Sequence, residues 1–267
     1  METNGEDMMI RCADGLEMKA FHAMPTGAGK YPAIIVVHEA WGLNEQIREV
    51  ARRYAAEGYV TVAPHLFSRQ GDLMSEKNIE GAMKRMWSVP PEKRNDKEAI
   101  EALMKTMTET ERKVAMTFFL GRDDLEKVMA GDLLGVVKFL QDQKNVHGDR
   151  LGITGFCMGG GLTYQLATMH SFKAAVPFYG ANPKPLESVA NISGSVLGIY
   201  AGEDERINAG IPALTEAMLK HKKDFGIRVY KGCQHAFFND TRPVYDLKAA
   251  ANAWSIALSF FDRHLKE

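Results

Sequence analysis

The sequence predicts an α/β protein, a mostly parallel sheet flanked by helices, and three observations support this. Apolar runs of strand length recur, such as Pro32-Ala-Ile-Ile-Val-Val-His38, of the kind buried on both faces of a parallel sheet. Amphipathic helical stripes separate them, as in Ile47, Val50, Ala51, Tyr54 and Ala55. A chain of 267 residues with 45% hydrophobic content is long enough for one extended core, so residues 1–267 are read as a single domain.

The elements follow in order. Met9–Ala13 and Leu16–Ala23 read as an N-terminal antiparallel hairpin about Asp14-Gly15, with Leu16, Met18, Ala20 and His22 alternating with Glu17, Lys19 and Phe21. The Pro32–His38 strand leads into a loop, Glu39-Ala40-Trp41-Gly42-Leu43, and a helix capped by Asn44 and closed by Gly58. Tyr59–Ala63 is the next strand. Between it and a long helix beginning at Asp123-Asp124 lies a helical insertion over about 70–122. Its helical patterns, Glu76–Trp87, Lys97–Met107 and Glu109–Phe119, are broken by Pro90-Pro91. Met83, Met86, Met104, Met107 and Met116 recur there at helical spacing and read first as adaptable packing. Beyond the long helix, strand runs end at Thr154, Tyr179, Tyr200 and Tyr230. The last helix sets Ala249, Ala253, Ile256, Ala257 and Phe260 on one face.

Composition narrows the function classes. A formal net charge of −1 gives no general attraction to nucleic acid or to a membrane surface. An acidic N-terminus unlike a leader peptide, and three cysteines without metal-type spacing, fit a cytoplasmic protein with free thiols. No cofactor and no metal are expected: His38, Glu39 and His65 lack a third ligand at suitable spacing. The expected partner is a small-molecule substrate.

The chemistry centres on Gly155-Phe-Cys157-Met-Gly159, a G-x-C-x-G at the join between a buried strand and a helix. Such a turn strains its central residue and needs small neighbours two positions either side. The following helix N-terminus favours a thiolate or an oxyanion. An acid and then a histidine follow, each in a loop directly after a strand: Asp204, and His235 after the last strand. Nucleophile, acid, histidine is the chain order of α/β-hydrolase folds. His235 would exchange the thiol proton and Asp204 would orient it. Met158 N–H and Ala40 N–H would form the oxyanion hole. His38 and His65 also lie at strand ends, Glu203 and Glu205 flank Asp204, and Cys233 sits near His235, reading as a loop filler.

These residues resemble the dienelactone hydrolase family, the cysteine-nucleophile branch of the α/β-hydrolases. The resemblance runs from about Pro32 to the C-terminus. It is carried by His38-Glu-Ala-Trp-Gly-Leu-Asn44, Gly58-Tyr-Val-Thr-Val-Ala-Pro64 with Arg69, Gly155-Phe-Cys-Met-Gly-Gly160, Gly202-Glu-Asp204 and His235-Ala-Phe237. It implies a carboxylic ester hydrolase of the carboxymethylenebutenolidase type, opening dienelactone rings in the degradation of aromatic compounds. It further implies that Glu39 restrains Cys157 at rest and takes its proton when substrate arrives, and that Arg69 binds a substrate carboxylate. Trp41 and Phe237, within the same motifs, are further candidate substrate contacts. Where a second arginine is expected after the histidine stands Asn239, with Arg242 close enough to substitute. Two other readings stay open: a general esterase or thioesterase using the same triad, and a catalytically silent binding or redox-sensing domain.

Overall fold

The computed structural model describes residues 1–12, 14–90, 93, 96–119 and 122–267. Ala13 of the predicted hairpin and Pro91 of the predicted break lie outside them. Eight strands form one sheet: β1 (Thr3–Arg11), β2 (Glu17–Pro25), β3 (Tyr31–Val37), β4 (Val60–Pro64), β5 (Val146–Phe156), β6 (Ala174–Phe178), β7 (Ser195–Ala201) and β8 (Phe225–Tyr230). Their spatial order is β1-β2-β4-β3-β5-β6-β7-β8. The β1–β2 and β2–β4 pairs are antiparallel and every later pair is parallel.

The hairpin turns at Gly15, whose φ of +88° suits a residue without Cβ. β1 reaches back to Thr3, well before the predicted start at Met9, because its polar residues sit on an outer strand where no alternation is required. Leu16, grouped by the alternation with the buried Met18 and Ala20, is exposed, whereas Phe21, grouped with the exposed Glu17 and Lys19, is buried under α1 (Glu45–Ala56). Asn44 caps α1 through Oδ1, which accepts from Ile47 N–H at 3.3 Å.

Two helical layers cover the sheet, and β3 shows how one strand serves both. Ile34 and Val36 pack with α1 and α9 (Leu247–Phe261), while Ile35 and Val37 face the layer containing α5 (Arg122–Asp142) and α6 (Met158–Ala167). This alternation is the two-residue period of a strand buried on both sides. On α9 the innermost aromatic is Phe261 rather than the predicted Phe260, which is only half-buried.

The insertion contains α2 (Glu76–Trp87), α3 (Lys97–Thr106) and α4 (Glu109–Phe119), close to the predicted spans. Met83 packs into the main core, and Met86, Met107 and Ala115 form a small apolar cluster with Met104 against it. Met116, assigned to the same packing, points outward and is exposed.

Candidate active site

Strand ends at one edge of the sheet bring the reactive side chains together. β5 runs into α6 through Cys157, which has φ 55° and ψ −111°, a conformation that a side-chain-bearing residue adopts only under constraint. Neighbouring glycines make the turn possible. A Cβ on Gly155 would lie 2.2 Å from Gly159 O, and one on Gly159 would lie 2.5 Å from Val37 O and 2.6 Å from His38 O. The elbow is therefore pressed directly against the end of β3.

Asp204 follows β7 and divides its carboxylate between two tasks. Oδ1 accepts from Ile207 N–H and caps the short helix α7 (Glu205–Asn208), while Oδ2 takes a close hydrogen bond from His235 Nδ1. Its neighbours do other work: Glu203 accepts from Gly232 N–H at 3.2 Å, and Glu205 is exposed. The second ring nitrogen of His235 is not used by Asp204, and Cys157 lies near enough to act on the ring. Burial alone would push His235 down; the charge on Cys157 and the bond to Asp204 outweigh it and push it up to about 10. The other two cysteines are different. Burial, and then Asp132 beside it, push Cys12 up to about 11, and burial also pushes Cys233 up.

The raised His235 value has a consequence for stability. The folded protein favours the imidazolium more than the unfolded chain does, so this contribution is complete below the ordinary value of 6.5. It is lost as pH rises from 6.5 through about 10. Denaturant midpoints should therefore fall across that window, and fall less in Cys157→Ala, which lacks a principal cause of the shift. Equal slopes in the two proteins would contradict the coupling.

Glu39 lies just beyond β3 and is buried. Tyr179 OH donates to Oε1 at 3.0 Å and Asn239 Nδ2 donates to Oε2 at 2.7 Å. Burial pushes the Glu39 carboxyl up, and these two donors, with the charges of His235 and Arg242, only partly oppose it. Sequence reasoning missed Tyr179 and Asn239. Tyr179 ends β6 with φ 38°, its ring 4.9 Å from that of His235, and a tyrosine at the carboxyl end of a strand was the available signal. Asn239 stands where an arginine was expected and supplies a neutral donor to Glu39 instead.

The two oxyanion candidates lie on the elements that meet at the elbow. Met158 opens α6 directly after Cys157, and Ala40 follows Glu39 on the loop against which the elbow packs. Phe237, in contrast, is fully buried between Tyr179 and Tyr230, so it is core and not a substrate contact. Trp41 is nearly buried, edge-on to Trp87 of α2, with the Arg242 guanidinium 3.9 Å from the centre of its ring.

Arg69 departs furthest from expectation. Its Nε donates to Asp132 Oδ2 at 2.9 Å and its Nη1 to Asp14 Oδ2 at 2.7 Å, with Nη2 completing the fork on Asp132. Two carboxylates thus occupy the guanidinium, which joins the hairpin turn to α5 beside a cavity of ≈ 230 Å³ that Cys157 does not line. Arg69 is a structural cross-link, not a free anchor for a substrate anion. Arg69→Ala would strand the buried Asp132 charge, and a loss of about 3 kcal/mol is expected in chemical denaturation. A change in substrate preference without that loss would restore the anchor role.

Fold, strand order and strained elbow define an α/β-hydrolase. The profile of the dienelactone hydrolase family matches residues 18–265. The chain belongs to that family and is a hydrolase of the dienelactone hydrolase type. It is 42% identical over 251 residues to a protein of Saccharolobus solfataricus named "Putative carboxymethylenebutenolidase", covering 94% of this chain and 96% of that one. A protein of the same name from Methylorubrum extorquens is 31% identical, covering 97% and 80% respectively. Among solved structures, a "Putative Dienelactone Hydrolase" from Klebsiella pneumoniae superposes with a TM-score of 0.75 at 28% identity, covering 98% of this chain and all of that one. Among the described residues, no helix is long and apolar enough to cross a membrane.

Proposed function

We propose that this hydrolase opens small carboxylate-bearing lactones or esters through a Cys157 acyl-enzyme. The observation that carries the reading is His235, bonded to Asp204 through Nδ1 and near enough to Cys157, on its strained elbow, to be raised by it. Cys157 Sγ attacks the acyl carbon, and its proton passes to His235. The carbonyl oxygen gathers negative charge facing Met158 N–H and Ala40 N–H. The ring C–O bond breaks, His235 returns the proton to the departing oxygen, and a thioester remains on Cys157. Water then attacks that thioester with His235 taking its proton, the C–S bond breaks to release the acid, and His235 returns the proton to Cys157 Sγ. Asp204 stabilises the imidazolium and holds its orientation in both halves.

Glu39 fits a supporting role. Both its oxygens accept from neutral donors, yet each retains a lone pair, and burial makes the group receptive to a proton. When substrate displaces Cys157 from its resting position, Glu39 can take the thiol proton in place of His235 and return it, in His235's stead, to the departing oxygen.

With Arg69 engaged elsewhere, Arg242 is the arginine able to read a substrate anion. Its guanidinium sits over Trp41, bonds Glu80 at 3.2 Å through Nη1, and keeps a buried Nε without a hydrogen-bond partner among the described residues. Its field also reaches Glu39. Steady-state assays on dienelactone isomers and on neutral aryl esters test this. Arg242→Ala should lower kcat/KM about 10- to 100-fold on the anionic lactones and leave the neutral esters nearly unchanged. Equal losses on both would favour a general esterase with the same triad.

A further inference from the structure

His38 is fully buried at the end of β3, next to the proposed machinery, and the chemistry above gives it no task. Its Nε2 lies 3.1 Å from Leu66 N and its Nδ1 lies 2.6 Å from Glu39 O. A backbone N–H can only donate, so Nε2 is the bare nitrogen and Nδ1–H is the donor to Glu39 O. Burial supports the neutral ring, pushing His38 down to about 3.

The identity of the acceptor matters. Glu39 O and Ala40 N–H belong to one planar peptide unit, in which carbonyl and N–H point in opposite directions. Fixing the carbonyl therefore fixes the aim of the N–H. A hydrogen bond on the carbonyl also polarises the same unit and strengthens its N–H as a donor. Gly42 N–H reaches this carbonyl only at 3.3 Å, so His38 makes the closer contact. The elbow touches the preceding residue, since a Cβ on Gly159 would sit 2.6 Å from His38 O.

We propose that His38 is a positioning residue for the oxyanion hole: its Nδ1–H holds the Glu39–Ala40 peptide so that Ala40 N–H faces the acyl oxygen on Cys157. The inference rests on the acyl-enzyme reading above. It assigns the other nitrogen, Nε2, a purely structural bond to the loop after β4.

Two substitutions separate the two bonds. An Asn amide nitrogen can take the place of Nδ1, whereas a Gln amide oxygen reaches the place of Nε2. His38→Asn should keep kcat within about threefold of wild type, and His38→Gln should lose about 10- to 100-fold in kcat with KM little changed, as expected for a misaimed oxyanion donor. Both should lower the denaturant midpoint, since each gives up one buried bond and some packing. Equal kcat in the two variants, or a loss that follows KM or stability, would overturn the assignment. Where a variant does not fold, 15N NMR of the wild-type imidazole decides: a protonated Nδ1 with a bare Nε2 supports the proposal, and the opposite tautomer or an imidazolium refutes it. Ester hydrolysis that Cys157→Ala leaves unchanged would overturn the acyl-enzyme reading itself, a result distinct from a failure of His38.

Discussion

Cys157→Ala is expected to lower kcat/KM at least about 10⁴-fold on dienelactones and aryl esters alike, because no other group in the proposed site can form the acyl intermediate. The fold should survive, since Cys157 is only part-buried and its backbone strain is set by the glycines around it rather than by its sulfur. Mass spectrometry of wild type quenched during turnover should show an acyl adduct on the peptide containing Cys157 and none on those containing Cys12 or Cys233. An adduct elsewhere, or retained activity in the variant, would rule out the proposed nucleophile. Cys12 and Cys233 serve as internal controls: both are buried thiols pushed up by that burial.

The second large effect falls on stability. Gly159→Ala would drive a Cβ to 2.5 Å from Val37 O and 2.6 Å from His38 O. Both are buried backbone atoms at the end of β3, so no rotamer change relieves the contact. More than about 4 kcal/mol is expected, enough to leave the chain unfolded or to force α6 off the sheet. Gly161→Ala is the control, since its Cβ would meet nothing nearer than 3.6 Å. Similar denaturation midpoints for the two variants would show that the β3–α6 contact yields more easily than the packing suggests.

Much of this was readable from residue order. The parallel sheet came from apolar runs such as Ala33–Val37, which can be so uniformly apolar only when both faces are covered. The positions of Cys157, Asp204 and His235 came from a nucleophile, acid, histidine sequence of loops at strand ends. What escaped was pairing across long separations. Arg69 and Asp132 are 63 residues apart, and nothing local to either announces the other. Glu39 and Asn239 are 200 apart, and a lone asparagine in a loop has no periodicity to betray it. β1 was understated for a different reason: a polar outer strand carries no hydrophobic alternation to read. Phe237 was misassigned because a motif fixes sequence position, not the direction in which a ring points.

Arg242 joins two parts of the molecule. One end of its contacts is Trp41, on the loop that carries Glu39 and Ala40, and the other is Glu80, on α2 of the insertion. The hydrogen bonds of Asp204, His235 and Glu39 run instead to one another and to Ile207, Tyr179 and Asn239. Substitutions along α2 can thus reach the proposed site through Arg242 without altering the bonds among Asp204, His235 and Glu39. A library randomised along α2 around Glu80 should yield altered substrate range far more often than lost turnover.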